Sequence, residues 1–282
     1  MGRVGLLKLL KKYIKSMQKI EINVNNVHLN MNQLLQGRCA IVTGAGSGIG
    51  LAIAKAYVNS GAIVIGLGRD EKKLKNAQKE IGENYLIYPC DISNIDELSK
   101  YLDDIIKLSP SQRIDILVNA AGIKNGNDER FFEYMPDEFE EVLNTNLKAI
   151  FFWSQQVSKH MIENKIHGHI VNIASIKGII GEASPYSVSK WGVVGLTKGL
   201  GRILAPKGIV VNGIAPGGTN TPMAGTHMGE MLHMVTPNMR LADPNEMANI
   251  ALFLGSDLGD NMIGEIVVSD GGQCLQYGNN RL

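Results

Sequence analysis

Residues 39–68 read CAIVTGAGSGIGLAIAKAYVNSGAIVIGLG, and their pattern predicts the fold class of the chain. The apolar run 40–42 has the length of a short buried strand, and residues 51–60 have helical spacing until Gly61 ends the helix. The apolar residues 62–67 predict a second strand. A strand, a helix and a strand within about thirty residues form the βαβ unit of a parallel sheet, which has a right-handed crossover.

The turn between the first strand and the helix is rich in glycine. Gly44, Gly48 and Gly50 would let backbone amides approach a pyrophosphate group, and the positive end of the helix dipole favours such an anion. Glycines also form ordinary tight turns. Their position between a strand and a helix nevertheless favours a dinucleotide-binding loop.

The composition is that of an ordinary globular protein. The chain has 282 residues, of which 44% are hydrophobic, so it could hold one large α/β domain or two small ones. The 28 Lys and Arg residues nearly balance the 27 Asp and Glu residues, which argues against a nucleic-acid partner. The three cysteines and six histidines lack the spacing of a metal site, so no metal is predicted. The widely spaced cysteines fit a reducing cytoplasm, and no apolar run approaches the ~18 residues of a membrane span.

The first 36 residues differ from the rest of the chain. Within residues 1–20, apolar side chains fall on one side of a helix and five lysines on the other, which predicts a basic amphipathic helix. Such a helix could contact an anionic membrane surface, pack on a partner subunit, act as an uncleaved targeting segment, or be an extension without catalytic role. Residues 21–33 are rich in asparagine and predict a linker. We therefore assign residues 1–36 to an extension and linker, and residues 37–282 to the main domain.

Tyr186 and Lys190, in the segment YSVSK, are four residues apart and would share one face of a helix. An unperturbed tyrosine has a pKa of about 10, and a neighbouring ammonium group favours the phenolate. Lys190 would therefore tune Tyr186 to protonate a carbonyl oxygen, or to take a proton from an alcohol. Ser175, at the end of a predicted strand, could hydrogen-bond the same oxygen. Taken alone, such a pair is more often a packing aromatic beside a solvated charge.

Further motifs follow in a fixed order along the chain. They are TGAGSGIG (43–50), CDIS (90–93), NAAG (119–122), NTN (144–146), HIVNIAS (169–175), YSVSK (186–190), VVNGIAPGGTNTPM (210–223) and VVSDGG (267–272). In sequence and order they resemble the short-chain dehydrogenase/reductase family, nearly to the end of the chain. The resemblance implies a single-domain Rossmann fold, an α/β architecture with a doubly wound, mostly seven-stranded parallel sheet and helices on both faces.

The resemblance also implies an activity and a set of site residues. The activity is hydride transfer between a nicotinamide cofactor, NAD or NADP, and a small secondary alcohol or ketone. Catalysis would use Asn146, Ser175, Tyr186 and Lys190; Lys190 would also hold the nicotinamide ribose, and Asn146 would complete a proton relay through water. The residues implied in cofactor binding are Thr43, Gly44, Ser47, Gly48, Ile49, Gly50, Arg69, Asp91, Ile92, Asn119, Ala120, Gly122, Tyr186, Lys190, Pro216, Gly217, Thr219 and Thr221.

The chain departs from the family pattern at three places in the site. Gly218 and Thr219 stand where a more apolar pair is expected, although Thr221 keeps the place of the family's threonine. Ala120 stands where the family has a second asparagine. The interval from Ser175 to Tyr186 is a couple of residues shorter than usual, so Ser184 is an alternative source of the second hydroxyl.

The end of the second strand, IGLGRDEKKL, bears on the choice of cofactor. Gly68 occupies the place where NAD-type members carry an aspartate, and Arg69 follows it. Arginine can bind a 2′-phosphate through two hydrogen bonds, whereas a carboxylate would repel it. We therefore expect NADP(H) rather than NAD(H), with the alternative that Asp70 holds Arg69 away or binds the ribose itself.

Substrate and assembly are less constrained. Length and motif order resemble both 3-oxoacyl carrier-protein reductases and sugar or polyol dehydrogenases. We expect a 3-oxoacyl thioester reductase, with a sugar or polyol dehydrogenase as the alternative. A non-catalytic nucleotide-sensing Rossmann protein is the alternative from another functional class. Helices around 134–164 and 187–204 correspond to a subunit interface in the family, which implies a homotetramer or homodimer. Four methionines predict either a core stripe or a lid over the substrate: Met223, Met228, Met231 and Met234.

Overall fold

The computed structural model describes residues 33–224 and 236–275. The predicted amphipathic helix and the methionines at 228–234 lie outside these residues. No helix in the described ranges is both long enough and apolar enough to cross a membrane.

A seven-stranded parallel sheet forms the centre of the protein. Its strands are β1 (Cys39–Thr43), β2 (Ile63–Gly68), β3 (Tyr85–Pro89), β4 (Ile116–Asn119), β5 (Gly168–Ile173), β6 (Ile209–Pro216) and β7 (Ile266–Ser269). The order across the sheet is β3-β2-β1-β4-β5-β6-β7, which confirms the predicted fold class. The chain reverses its direction of progress between β1 and β4, where open α/β sheets bind ligands at their carboxyl ends.

Helices cover both faces of the sheet. They are α1 (Gly48–Asn59), α2 (Glu71–Ile81), α3 (Leu98–Leu108), α4 (Pro136–Leu143), α5 (Ala149–Glu163), α6 (Pro185–Leu204) and α7 (Pro244–Leu254). A π turn, Asn144–Lys148, joins α4 to α5 without a gap, so the long helix predicted around 134–164 is present over 136–163 with a π-helical segment in its middle.

Residues 40–42 of β1 are all apolar because both faces of this central strand are buried. Ala40 and Val42 pack with α1 and α7 in one apolar cluster. Cys39 and Ile41 point to the opposite face and pack with α3 and α5. A strand covered on both sides needs apolar residues at every position, which explains the absence of alternation in the run 40–42.

The packed core begins ahead of β1. Leu35 is fully buried, and its backbone N–H donates to the carbonyl of Ser60 at 2.9 Å. Leu34 packs partly buried against the same cluster. These two residues, assigned to the linker from the sequence, thus contribute to the core, and the division of the chain after residue 36 stays a prediction.

Candidate active site

A cavity of about 500 Å³ opens at the carboxyl ends of the strands. The residues that directly follow β1 to β6 all line it: Gly44, Arg69, Cys90, Ala120, Ala174 and Gly217. The structure brings the predicted site residues together around this cavity. Three of them lie behind its wall instead: Thr43, Asn119 and Asn146.

The glycine loop can be built only from glycine at three positions. Gly44 and Gly48 have φ angles of 69° and 55°, in the region that side chains rarely adopt. A Cβ at Gly50 would collide with the carbonyl of Gly44, and a Cβ at Gly48 would lie 3.3 Å from the side chain of Thr221. The loop is therefore closed tightly on the first turn of α1.

The start of α1 suits a phosphate group. Ser47 occupies the N-cap position without forming a capping hydrogen bond through its side chain, and the first turn carries no acidic residue. The backbone amides of this turn therefore keep their positive electrostatic potential toward the cavity. Together with the glycine positions, this arrangement fits the pyrophosphate of a dinucleotide.

Tyr85 supports the glycine loop from the third strand of the chain. Its hydroxyl donates to the carbonyl of Ala45 at 3.1 Å. The phenol reaches this carbonyl across β2, at Gly66, where any Cβ would overlap the ring. Neither Tyr85 nor Gly66 belongs to a motif recognised in the sequence.

Thr43 and Asn119 hold loops rather than line the cavity. The Thr43 hydroxyl accepts hydrogen bonds from the backbone amides of Ala120 and Ala121, both at 3.0 Å. The amide of Asn119 donates to the side-chain oxygen of Asn172 at 2.8 Å. Thr43 and Asn119 thus hold the carboxyl ends of β1 and β4 in place without lining the cavity.

Arg69 and Asp70 separate at the far end of the cavity. Arg69 is exposed, lines the cavity, and has no carboxylate within ion-pair distance in the ranges that the structure describes. Asp70 caps α2, accepting from the amide of Lys73 at 3.0 Å. It does not hold Arg69 away. Asp91 lines the cavity opposite, with its carboxylate bound by the amide and hydroxyl of Ser93.

Tyr186 lies at the other end, in the first turn of α6, half-buried. Burial raises the pKa of its phenol, a hydrogen bond from Ser175 lowers it, and the charge of Glu182 raises it further. The net pKa is raised, opposite to the direction expected from the nearby ammonium group. The Ser175 hydroxyl is itself oriented by the backbone amide of Lys177, from which it accepts at 3.1 Å.

Lys190 is one helical turn beyond Tyr186 and almost fully buried. Its ammonium group donates to the carbonyl of Ile173 at 2.8 Å and lies 5.6 Å from the centre of the Tyr186 ring. Burial lowers its pKa to about 8. Lys190 therefore stays mainly protonated at neutral pH, next to the phenol.

Asn146 lies in the π turn, fully buried. Its side-chain oxygen accepts from the amide of Ile123 at 2.8 Å, and its side-chain nitrogen donates to the carbonyl of Ile123 at 2.9 Å and to Ser189 at 3.2 Å. These bonds join the loop after β4 to α6. Its neighbour Thr145 lines the cavity.

Ser184 does not replace Ser175. It is the N-cap of α6, accepting from the amide of Ser187 at 3.2 Å and donating to Glu182 at 2.8 Å. The Glu182 carboxylate also binds the ammonium of Lys177 at 2.5 Å. The short loop before α6 is thus closed by a buried carboxylate close to Tyr186.

The segment after β6 covers the middle of the cavity. Pro216, Gly217, Thr219 and Thr221 all line it, and the Thr219 hydroxyl donates to the carbonyl of Gly217 at 3.1 Å. Their role in cofactor binding stays a prediction.

Comparison with known proteins decides the family. The model of the family described as short chain dehydrogenase matches residues 38–230, more than half of the chain. The chain belongs to this family. As a short-chain dehydrogenase it is an NAD(P)-dependent oxidoreductase with a small-molecule substrate.

Individual relatives are similar over nearly their whole length. The 3-oxoacyl-acyl-carrier-protein reductase FabG of Rickettsia bellii is 35% identical, with 86% of this chain and 98% of that protein covered. The crystal structure of a 3-ketoacyl-(acyl-carrier-protein) reductase from Brucella melitensis, complexed with NADH, is 31% identical, with a TM-score of 0.77 over 85% of this chain and 99% of that one. A putative gluconate dehydrogenase from Agrobacterium tumefaciens is 28% identical, with a TM-score of 0.79 over 88% and 99% of the two chains.

Several cavity residues of this short-chain dehydrogenase were not predicted from the sequence. They include Lys124, Thr145, Ile176, Lys177 and Gln273. Met223, which belongs to the methionines predicted as a core stripe or a lid, also lines the cavity. Lys124 lies two residues after the motif NAAG, and Lys177 lies two residues after HIVNIAS. Proximity to a motif was therefore the one sequence feature that could have indicated their place in the cavity.

A polar cluster at the opposite edge of the sheet was also missed. His167, His169, Asp257 and Asp260 each bring one potential ligand atom within 4.8 Å of the others. Arg38 lies among them, paired with Asp257 and 3.2 Å from a ring nitrogen of His169, whose other nitrogen contacts Asp260 at 3.0 Å. The Arg38 guanidinium supplies the positive charge in this cluster. The cluster links the amino ends of β1 and β5.

Proposed function

We propose that this short-chain dehydrogenase reduces the ketone of 3-oxoacyl compounds, thioesters first among them, with NADPH. The observation that carries the proposal is the grouping of Tyr186, Ser175 and Lys190 at one end of a cavity whose other end is a phosphate-binding loop. The similarity to the 3-oxoacyl-acyl-carrier-protein reductase of Rickettsia bellii and the 3-ketoacyl-(acyl-carrier-protein) reductase of Brucella melitensis supports the substrate class.

Tyr186 is the proton donor in this proposal. Its raised pKa keeps the phenol protonated at neutral pH, which is the form that reduction requires. Ser175 hydrogen-bonds the ketone oxygen and orients it toward the phenol. When bound, the nicotinamide supplies the hydride.

Lys190 stabilises the phenolate that remains after proton transfer. With a pKa of about 8 it carries its charge at neutral pH, and its burial places that charge where solvent screens it little. Asn146 acts through position, since it binds both backbone groups of Ile123 in the cavity wall. The relay through water that the family resemblance implies stays a prediction.

Arg69 supports NADPH as the cofactor. Its guanidinium lines the cavity without an ion-pair partner in the described ranges, and Asp70 is engaged with α2. A 2′-phosphate of the cofactor could therefore pair with the Arg69 guanidinium without displacing a carboxylate from it.

A homo-oligomer, tetramer or dimer, located in the cytoplasm, completes the proposal. Phe151 on α5 and Val188 and Trp191 on α6 are each between 44% and 49% exposed, and large apolar side chains on neighbouring helices favour association with another copy.

The test is a direct comparison of two cofactors with one neutral substrate. We expect NADPH to bind more tightly than NADH in a fluorescence titration, and the N-acetylcysteamine thioester of acetoacetate to be reduced with NADPH. Binding of neither cofactor would contradict the proposal, as would tight binding of NADPH without reduction of any ketone.

A further inference from the structure

Charged residues are distributed unevenly between the two ends of the cavity. Near Tyr186, three lysines line the wall: Lys124, Lys177 and Lys190. The one acidic residue in the described lining is Asp91, at the cofactor end. The substrate end is therefore surrounded by positive charge, which favours an anionic group in the bound molecule.

Two of the three lysines already have partners. Lys190 donates to the carbonyl of Ile173, and Lys177 forms an ion pair with Glu182. Lys124 is exposed and has no carboxylate within ion-pair distance in the part of the chain that the structure describes.

Glu182 lies near enough to Lys124 for their charges to attract, but it forms its ion pair with Lys177. Burial opposes the ionisation of Glu182, but hydrogen bonds from Lys177 and Ser184 and the charges of Lys177 and Lys124 hold its pKa below the ordinary value. Both carboxylate oxygens are occupied by those two hydrogen bonds. Lys124 thus lines the cavity without an ion-pair partner among the described residues.

The position of Lys124 is set by the core. It follows Ile123, whose amide and carbonyl are both bound by the buried Asn146. The Lys124 ammonium lies 5.9 Å from the centre of the Tyr186 ring, about as far as that of Lys190 at 5.6 Å. An anion bound by Lys124 would thus lie next to the ketone that Tyr186 protonates.

We propose that Lys124 binds a carboxylate of the substrate, so that the enzyme also reduces short 3-oxo acids as free acids, in addition to neutral 3-oxoacyl esters. This inference rests on the proposed ketone reduction and adds a second class of substrate to it. A carboxylate two bonds from the ketone carbon is close enough to reach Lys124 while the ketone oxygen contacts Tyr186 and Ser175.

The reaction balances with the groups already assigned. The ketone carbon gains a hydride from NADPH and its oxygen gains a proton from Tyr186, giving the 3-hydroxy acid and NADP⁺. The carboxylate is unchanged, and Lys124 contributes binding and orientation only.

The test uses three substrates that share one 3-oxobutanoyl group. Acetoacetate carries a carboxylate, its N-acetylcysteamine thioester is neutral, and acetoacetyl coenzyme A carries its phosphates on a long arm. We expect Lys124→Gln to lower kcat/KM for acetoacetate about tenfold, mainly through KM, and to leave the neutral thioester within about twofold. Lys124→Arg should restore acetoacetate reduction.

The control variant is Lys198→Gln, which removes an exposed lysine from the same helix as Tyr186 but outside the cavity lining. It should leave all three substrates unchanged. Equal losses on acetoacetate and on the neutral thioester in Lys124→Gln would overturn the proposal. A loss confined to the coenzyme A thioester would also overturn it, because the anion would then be the phosphate of the carrier arm.

A binding measurement keeps the inference separate from the proposed reaction. Malonate, a dicarboxylate without a ketone, should raise the melting temperature of the NADP⁺-loaded wild type but not of the Lys124→Gln variant. If no ketone is reduced yet malonate distinguishes the two proteins, the proposed reduction fails and the anion subsite stands. An identical response of both proteins would refute the subsite.

Discussion

The two ends of the cavity are built in different ways. At the cofactor end the binding groups are backbone amides, shaped by Gly44, Gly48 and Gly50 and open to solvent at Arg69. At the catalytic end they are side chains, and Lys190 is almost fully buried. The cofactor end depends on the absence of side chains at glycine positions, where a Cβ would obstruct the loop. The catalytic end depends on residues distant in sequence that orient a few polar side chains.

The difference predicts where substitutions act. A change at the catalytic end should reduce turnover and leave the cofactor bound. A change at the cofactor end should reduce affinity first. Four experiments test this division, beginning with the largest expected effect.

Tyr186→Phe should lower kcat for ketone reduction about a thousandfold, because the proton donor is lost while the ring remains. The affinity for NADPH, measured by fluorescence titration, should stay within about threefold. Near-normal turnover of this variant would remove Tyr186 from the chemistry.

Gly50→Ala should weaken NADPH binding about a hundredfold, because the new Cβ would collide with the carbonyl of Gly44 and displace α1 from the loop. The matched control is Gly181→Ala, where the added Cβ meets no atom within 4 Å and φ is not positive. That variant should bind NADPH like the wild type. Equal affinities of the two variants would show that the close contact does not shape the site.

Arg69→Gln should weaken NADPH binding about thirtyfold and leave NADH within about twofold, since only the former carries the 2′-phosphate. Lys73→Gln is a suitable control, because its ammonium lies 3.7 Å from Asp70 on the same exposed turn. A similar loss for both cofactors in Arg69→Gln would indicate a structural role for the arginine instead.

The pH dependence of kcat for ketone reduction should reflect the lowered pKa of the buried Lys190. Its pKa is lowered to about 8, so the ammonium is present below that pH and lost above it. We expect kcat for reduction to fall several-fold between pH 7 and pH 9. Lys190→Arg should lack this decline because arginine keeps its charge. A flat wild-type profile across this interval would argue against a charged Lys190 in the reaction.

The sequence was most informative where the backbone forms the site. The glycine loop was predicted because glycines between a strand and a helix admit few structures. The parallel α/β sheet and many of the residues that line the cavity followed from the family resemblance. The identities of Ser175, Tyr186 and Lys190 were also predicted, and they line the cavity together.

What the sequence did not predict depends on contacts between distant residues. The direction of the Tyr186 pKa shift follows from burial and from Glu182, which no spacing rule connects to it. Thr43, Asn119 and Asn146 have the right identities but lie behind the cavity wall, since their side chains bind backbone and side-chain groups of neighbouring elements. The role of Lys124 required the fold that brings it to Tyr186.

The pairing of Tyr85 with Gly66 has a consequence for how this sequence can diverge. The phenol that holds Ala45 occupies the space of any side chain at position 66. A mutation of Gly66 alone is therefore blocked, whereas loss of the tyrosine first would open the position to other residues. Homologues that carry a side chain at position 66 should have a smaller residue at position 85, so the two positions should covary.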